Sequence, residues 1–469
     1  SGTDIQYAYF PTEEGTINIR YQDTINGEPL ETTRTHNFTI IEPSEEAELP
    51  AGGIAGINYH ADDDTKVTLV LEAPGKTFSY VVGDFNDWTT SNAYQMNQTP
   101  DGEFFWIELD GLTPQEEYVF QYWIDGTVKI GDPYAEKVAD PWNDPFIDEA
   151  TYPNLPPYPY TQNGVATVLQ TGQEEYVWDS SEESWERPDI NHLMIYELLV
   201  RDFLATHSYT DLIDTLAYIK NLGVDAIELM PFNEFDGNDS WCYNPNYFFA
   251  PDKYYGTAEQ LKDFITAAHQ EGLAVIMDIV MNHAYGTNPM VLAYFDGGRP
   301  AADNPWFIRE YVGPFQWGYD WNHESDYTKA FLDRVNAYWI EEYHIDGYRF
   351  DFTKGFTNYA PGGNIDGFDQ SRIDILTRMA DEIWTVDEEA YVILEHWGPA
   401  AEEQQLANRG MKMWSNRSYD YVPLVVGNNT GSFQSMDRQS HISFFNSHDE
   451  RRIAEHALTE GLSNSSYNV

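Results

Sequence analysis

Four short stretches of this chain end in side chains able to do acid–base or nucleophilic chemistry. Gly347-Tyr348-Arg349-Phe350-Asp351 reads as a short buried strand that stops on an acid, with Gly347 allowing a neighbour to approach closely. Arg349 and Asp351 are two residues apart, so in a strand both fall on one face. A guanidinium beside a carboxylate holds it ionised, as a nucleophile requires; the same two residues also read as a structural ion pair. The apolar run 273–277 leads into Asp278, Asn282 and His283, the run 391–394 into Glu395-His396-Trp397, and the run 442–445 into Asn446-Ser447-His448-Asp449. One such residue after a strand is usually a satisfied structural group. Four such ends, in order, point to one active face. Two carboxyl groups there, one ionised and one kept protonated among apolar neighbours, are what cleavage of a glycosidic bond needs. Asp351 beside Arg349 suits the ionised role, and Glu395 the acid.

Those ends need a scaffold that collects them. Strands are expected at 193–200, 225–230, 273–278, 345–351, 391–394, 411–414 and 442–445, and helices at 211–222, 257–271, 327–343 and 368–384. Repeated βα units with near-continuous apolar strands predict a parallel sheet, here a (β/α)8 TIM barrel over 191–469. Only about seven strands are present. The polar tail 455–469 offers neither a strand nor a helix, so the natural protein is expected to continue beyond Val469; closure by an earlier β segment is the weaker alternative. The stretch 284–325 is long for a loop in a compact domain, which favours a functional role, and 354–370 is expected to roof one side of the cleft. Ahead of the barrel, 1–50 reads as a β segment or small β domain with a hairpin at Asn26-Gly27. Residues 51–155 read as an immunoglobulin-like β-sandwich, and 156–190 as a Pro- and Tyr-rich linker.

Composition narrows the partners. The 469 residues carry 78 Asp plus Glu against 25 Lys plus Arg, a formal charge of −53. Such a surface repels nucleic acid and anionic membrane and suits a neutral substrate. No apolar run approaches a membrane span. The lone Cys242 rules out an intrachain disulfide framework and a cysteine-built zinc site. Aromatic residues make up 15% of the chain. Aromatics and carboxylates without a basic patch favour a carbohydrate-active protein, because sugar rings have apolar faces; core packing is the other use of the same residues. Ser1-Gly2 reads as a tag scar or a mature start, which predicts a secreted, periplasmic or cell-surface protein with its leader removed. The sequence leaves the oligomeric state open.

Asp278-x-x-x-Asn282-His283, Gly347-x-Arg349-x-Asp351, Glu395 and His448-Asp449 resemble the four ordered sequence regions of the alpha-amylase family, glycoside hydrolase family 13. The stretches 195–203, 223–231 and 243–257 resemble the neopullulanase, cyclomaltodextrinase and pullulanase side of that family. Residues 83–88, with the Asp101-Gly102 turn and 122–126, resemble carbohydrate-binding module family 48. There Trp88, Trp106 and Trp123 are expected in the sandwich core, with stacking on glucose as the other reading. The resemblance implies a retaining α-glucan hydrolase, with Asp351 as nucleophile, Glu395 as acid/base and Asp449 as transition-state stabiliser. It implies that His283, His448 and Arg349 surround the sugar, that Tyr243 stacks on it, and that Lys354 and Trp397 stand on the leaving-group side. Asn282 matches a calcium ligand of many amylases, so calcium is a possible ion although no cofactor is required. Gly355 departs from the family, where many members have a His after the Lys. Debranching, glucan-branching or transglycosylating activity is the alternative within the family, and an inactive carbohydrate-binding protein the alternative outside it.

Overall fold

The structure is a computed structural model that describes residues 15–25, 28–38, 41, 43–159, 163–358, 363–428 and 439–462. It divides into two compact units, one of residues 1–132 and 161–173 and one of 133–160 and 174–469.

In the first unit, strands Gly15–Ile25 and Glu28–Phe38 pair antiparallel, with Ile25 opposite Glu28. The Asn26-Gly27 turn expected between them lies outside the described residues. Two further antiparallel sheets follow. One is built from Gly56–Tyr59, Val67–Glu72, Asn97–Gln98 and Phe104–Leu109. The other contains Ser79–Gly83, Glu117–Ile124, Val128–Ile130 and Ala166–Gln170. The last of these strands lies inside the stretch expected to be a linker. Its residues 166–169 are buried, and register against Glu117–Ile124 rather than chain order sets its place. The three tryptophans do not fill the core. All three are half-buried: Trp88 donates its N–H to Asp84, Trp106 donates to the carbonyl of Ala47, and Trp123 packs on Phe78 and Tyr80.

The second unit carries a parallel sheet. Its strands are β1 (Ile195–Leu198), β2 (Ala226–Leu229), β3 (Ala274–Ile279), β4 (Gly347–Phe350), β5 (Tyr391–Leu394), β6 (Lys412–Asn416) and β7 (His441–Phe444), paired in that order. β2 to β5 are buried along their whole length, as strands covered on both faces must be. Ala226, Ala274, Ile276, Tyr391, Ile393 and Trp414 form one core cluster. Gly347 has φ +149°, and a Cβ there would lie 2.3 to 2.6 Å from backbone atoms of Tyr391. Only glycine lets β4 and β5 come this close.

Helices stand where the spacing predicts them. Ala258–Gln270 starts on a Thr257/Gln260 capping box. Asp326–Tyr343 stops at His344 in the left-handed region, φ 53°. Gln370–Val386 is capped by Asp369. The helix expected over 211–222 is instead two short ones, Tyr209–Ile213 and Leu216–Asn221. The tail expected to be irregular forms the helix Ile453–Glu460, with Ile453 and Ala457 buried. Among the described residues no strand pairs with the outer edges of β1 and β7, and a cavity of about 830 Å3 lies between them. Nor is any helix long and apolar enough to cross a membrane.

The stretch after β3 is folded rather than loose. His283–Ala284 pairs with Tyr319–Asp320. Asn288 and Asn304 cap the turns between, each accepting from two backbone N–H groups. Trp306, Phe307 and Trp321 are buried beneath.

At the opposite end of β4 from Asp351, Asp346 is fully buried and accepts from Trp185 Nε1 (2.7 Å), Arg187 Nε (3.1 Å), His269 Nε2 (3.0 Å) and the N–H of Val275 (2.7 Å). His269 also bonds Glu182 at 3.0 Å and stacks on Trp185 at 4.3 Å. Residues 182–187 are thereby bound to the parallel sheet by a buried charged network.

Candidate active site

Arg349 organises the site. It projects from β4, fully buried, and its guanidinium reaches three carboxylates from three adjacent strands. Nη1 lies 2.8 Å from Asp278 Oδ1 and 3.2 Å from Asp351 Oδ1, and Nη2 lies 2.9 Å from Glu395 Oε1. Strand pairing makes this convergence unavoidable. Asp278 is opposite Arg349 on β3, and Ile393, two residues before Glu395, is opposite it on β5. Asp351 and Glu395 therefore face one another across a shared guanidinium.

The expectation that Arg349 holds Asp351 ionised needs correction. Burial first, and Glu395 second, push the Asp351 carboxyl well above the usual carboxylate range, against the pull of Arg349. One guanidinium is divided among three acids, so its pull on any one of them is weakened. The Asp351 side chain is still 15% exposed and open to a substrate.

Glu395 is held from two sides. The N–H of Phe352 donates to its Oε2 at 2.8 Å. The N–H and hydroxyl of Thr353 donate to its carbonyl at 2.9 and 3.0 Å. Behind it His396 lies 3.0 Å from both Thr353 Oγ1 and Glu402, and Glu402 takes two bonds from the buried Arg372. Burial holds His396 below its ordinary value.

On the other flank the Tyr243 hydroxyl donates to Asp278 Oδ2 at 2.6 Å, and its ring stacks on His448, centroids 5.0 Å apart. His448 Nδ1 bonds Glu197 Oε1 at 2.8 Å. Burial opposes charge on His448, but Glu197, with Asp449 and Asp278, raises it above its ordinary value. His283 is buried, which pulls it down to about 4, and its Nε2 donates to the carbonyl of Tyr243 at 3.0 Å. It therefore orients Tyr243 as a neutral ring.

The structure thus brings Arg349, Asp351, Glu395, Tyr243 and His448 together around Asp278. Asp449 stands at the rim, 49% exposed, 3.4 Å from His448 Nε2. Lys354 pairs with Asp366 at 2.8 Å. Trp397 is exposed, with φ 45°. Gly355 packs on Asn282, where an added Cβ would lie 2.9 Å from the Asn282 Cβ. The buried Oδ1 of Asn282 has no hydrogen-bond partner, a feature that a cation would satisfy. Among the described residues, however, no three His, Cys, Asp or Glu side chains gather to hold a metal ion.

Sequence reasoning missed Glu197 and Glu228, which sit side by side on β1 and β2. Glu228 is fully buried with no partner on either oxygen. Burial first, then Asp278 and Glu197, push its carboxyl well above the usual range. The available signal was a charged residue inside an otherwise apolar run.

Residues 208–319 match the model of the alpha-amylase catalytic domain. The chain is 28% identical over 271 residues to a malto-oligosyltrehalose trehalohydrolase of Saccharolobus solfataricus, covering 57% of this chain and 41% of that protein. It is 31% identical over 297 residues to a 1,4-alpha-glucan branching enzyme of Aquifex aeolicus, covering 60% and 42%. It therefore spans about two fifths of the length of these curated relatives. An apo pullulanase of Paenibacillus barengoltzii shares the fold with a TM-score of 0.63 at 18% identity, over 89% of this chain and 69% of that one. A pullulanase of Anoxybacillus sp. LM18-11 does so at 0.61 and 19%, over 87% and 62%. With its ordered strand-end acids and its parallel βα sheet, this chain is similar to enzymes of the alpha-amylase family, glycoside hydrolase family 13, and residues 208–319 carry the match to that family's catalytic domain.

Proposed function

We propose that this chain is a retaining α-glucan hydrolase that cuts α-1,4-glucosidic bonds of starch-type polysaccharides or maltooligosaccharides by double displacement. The observation that carries the reading is the fork of Arg349, whose guanidinium lies 3.2 Å from Asp351 and 2.9 Å from Glu395. Retaining enzymes keep their two carboxyl groups about 5–5.5 Å apart, whereas inverting enzymes leave room for a water between them. Two carboxyls held by one guanidinium favour the shorter spacing.

In this reading Glu395 enters the reaction protonated and faces the glycosidic oxygen. Asp351, left ionised against Arg349, attacks the anomeric carbon as the leaving sugar takes that proton. Glu395 then deprotonates a water, which releases the glycosyl group from Asp351 with net retention. Tyr243, His283 and His448 border the sugar at the bond, and Asp449 stabilises its flattened ring. Purified protein should release reducing sugar from starch or maltoheptaose, with the α-anomer appearing first by NMR. Inversion, or no release from starch, pullulan or maltoheptaose, would sink the reading. Asp351→Asn should lower turnover by about a thousandfold or more while maltoheptaose still binds.

The named relatives favour a second reading, glucan branching or debranching, since they include a branching enzyme and pullulanases. Product analysis on amylopectin, pullulan and linear maltooligosaccharides separates the two.

A further inference from the structure

Two aromatic residues follow the reacting acids closely, each in the left-handed backbone region that bulky residues rarely adopt: Phe352 at φ 41° and Trp397 at φ 45°. Phe352 is covalently next to Asp351, and its N–H donates to Glu395. Its ring meets two others from the folded stretch after β3. Phe315 and Trp317 stack at 4.4 Å and 17°, and Phe352 stands edge-on to them at 5.5 and 4.9 Å. Large aromatics stacked away from the core are normally covered, yet Phe315 stays 39% and Trp317 44% exposed.

We propose that Phe315, Trp317 and Phe352 form a ledge that binds the sugar ring on the leaving-group side of the cleaved bond. The side follows from the contact with Glu395. The acid protonates the departing oxygen, so what borders its carboxyl borders the departing sugar. Tyr243 and His448 lie on the flank marked by Asp278 instead. The occupant follows from the surface chemistry. A flat, uncharged aromatic ledge suits the C–H face of a pyranose ring, and the Lys354–Asp366 pair, with Lys354 Nζ 6.0 Å from the Phe352 ring centre, offers polar groups for its hydroxyls. The enzyme would thus favour a glucan in which a further glucosyl unit leaves over one with a small leaving group. This rests on the hydrolase reading above.

The test compares maltoheptaose, whose leaving group is a sugar, with α-maltosyl fluoride, whose leaving group is fluoride and cannot reach the ledge. In Trp317→Ala the ratio of kcat/KM for maltoheptaose to that for the fluoride should fall about tenfold, the size of one aromatic contact. An unchanged ratio overturns the proposal, whether both rates fall together or neither does. A wild-type protein that turns over neither compound overturns the hydrolase reading itself, and the ledge with it. Thermal unfolding of Trp317→Ala checks that the variant is folded.

Discussion

His269 predicts a pH-dependent loss of stability far from the site. It lies between Glu182 and Asp346, almost fully buried. Burial alone would lower its pKa, but the bonds to Asp346 and Glu182 raise it from 6.5 to about 9. A raised histidine favours the folded state fully below its unfolded pKa and loses that contribution as pH rises through the folded one. The window is therefore pH 6.5 to 9. The shift of about 2.5 units at 1.36 kcal/mol each is about 3 kcal/mol. At a few degrees per kcal/mol for a body of this size, the wild-type Tm should fall by about 5–10 °C more than that of His269→Gln across the window. The variant starts lower at pH 6.5 because it leaves Glu182 and Asp346 without their cation. Scanning calorimetry or fluorescence-detected melting of both proteins in matched buffers measures the difference. Repulsion among the acidic residues grows alike in both, so subtraction removes it. Parallel melting curves for the two proteins would refute the argument, showing that His269 is neutral in the fold.

Three further outcomes follow from packing and burial. Acid should also loosen the same network: burial pushes Glu182 up, yet His269 and His344 bring it to about 2. Its contribution is present above pH 4.5 and lost toward pH 2, so Glu182→Gln should flatten that limb of the wild-type stability profile. Gly347→Ala should leave little folded protein, because its Cβ would enter the backbone of Tyr391; soluble protein with an unchanged Tm would contradict the close approach. Glu228→Gln should change stability in urea by less than about 1 kcal/mol at pH 7, since burial already keeps that carboxyl neutral; a loss of several times that would show an ionised group.

Much of the site was legible because strand-end chemistry is local. An apolar run followed by Asp, Glu or His marks a position, and four such runs in order mark a face. The charge state of Asp351 was not legible. Arg349 lies two residues away, but the competing acids come from β3 and β5, and only the fold shows that one guanidinium serves all three. The strand Ala166–Gln170 was hidden by its Pro- and Tyr-rich surroundings, because pairing with Glu117–Ile124 rather than local pattern selects it. Phe315, Trp317 and Phe352 carry no spacing signal, since a contact between residues 35 apart on irregular backbone has no period.

The guanidinium of Arg349 is a flat, rigid plate, and its bonds to Asp278, Asp351 and Glu395 rivet the ends of β3, β4 and β5 to it. The centre that would break the bond therefore carries its own brace. His448, which follows β7, is tied instead to Glu197 of β1, at 2.8 Å. The reacting acids are thus locked to one another, whereas a group that borders the sugar is locked to a different strand. A shift of β1 against β3 to β5 would change the grip on the sugar while leaving the reacting acids in register.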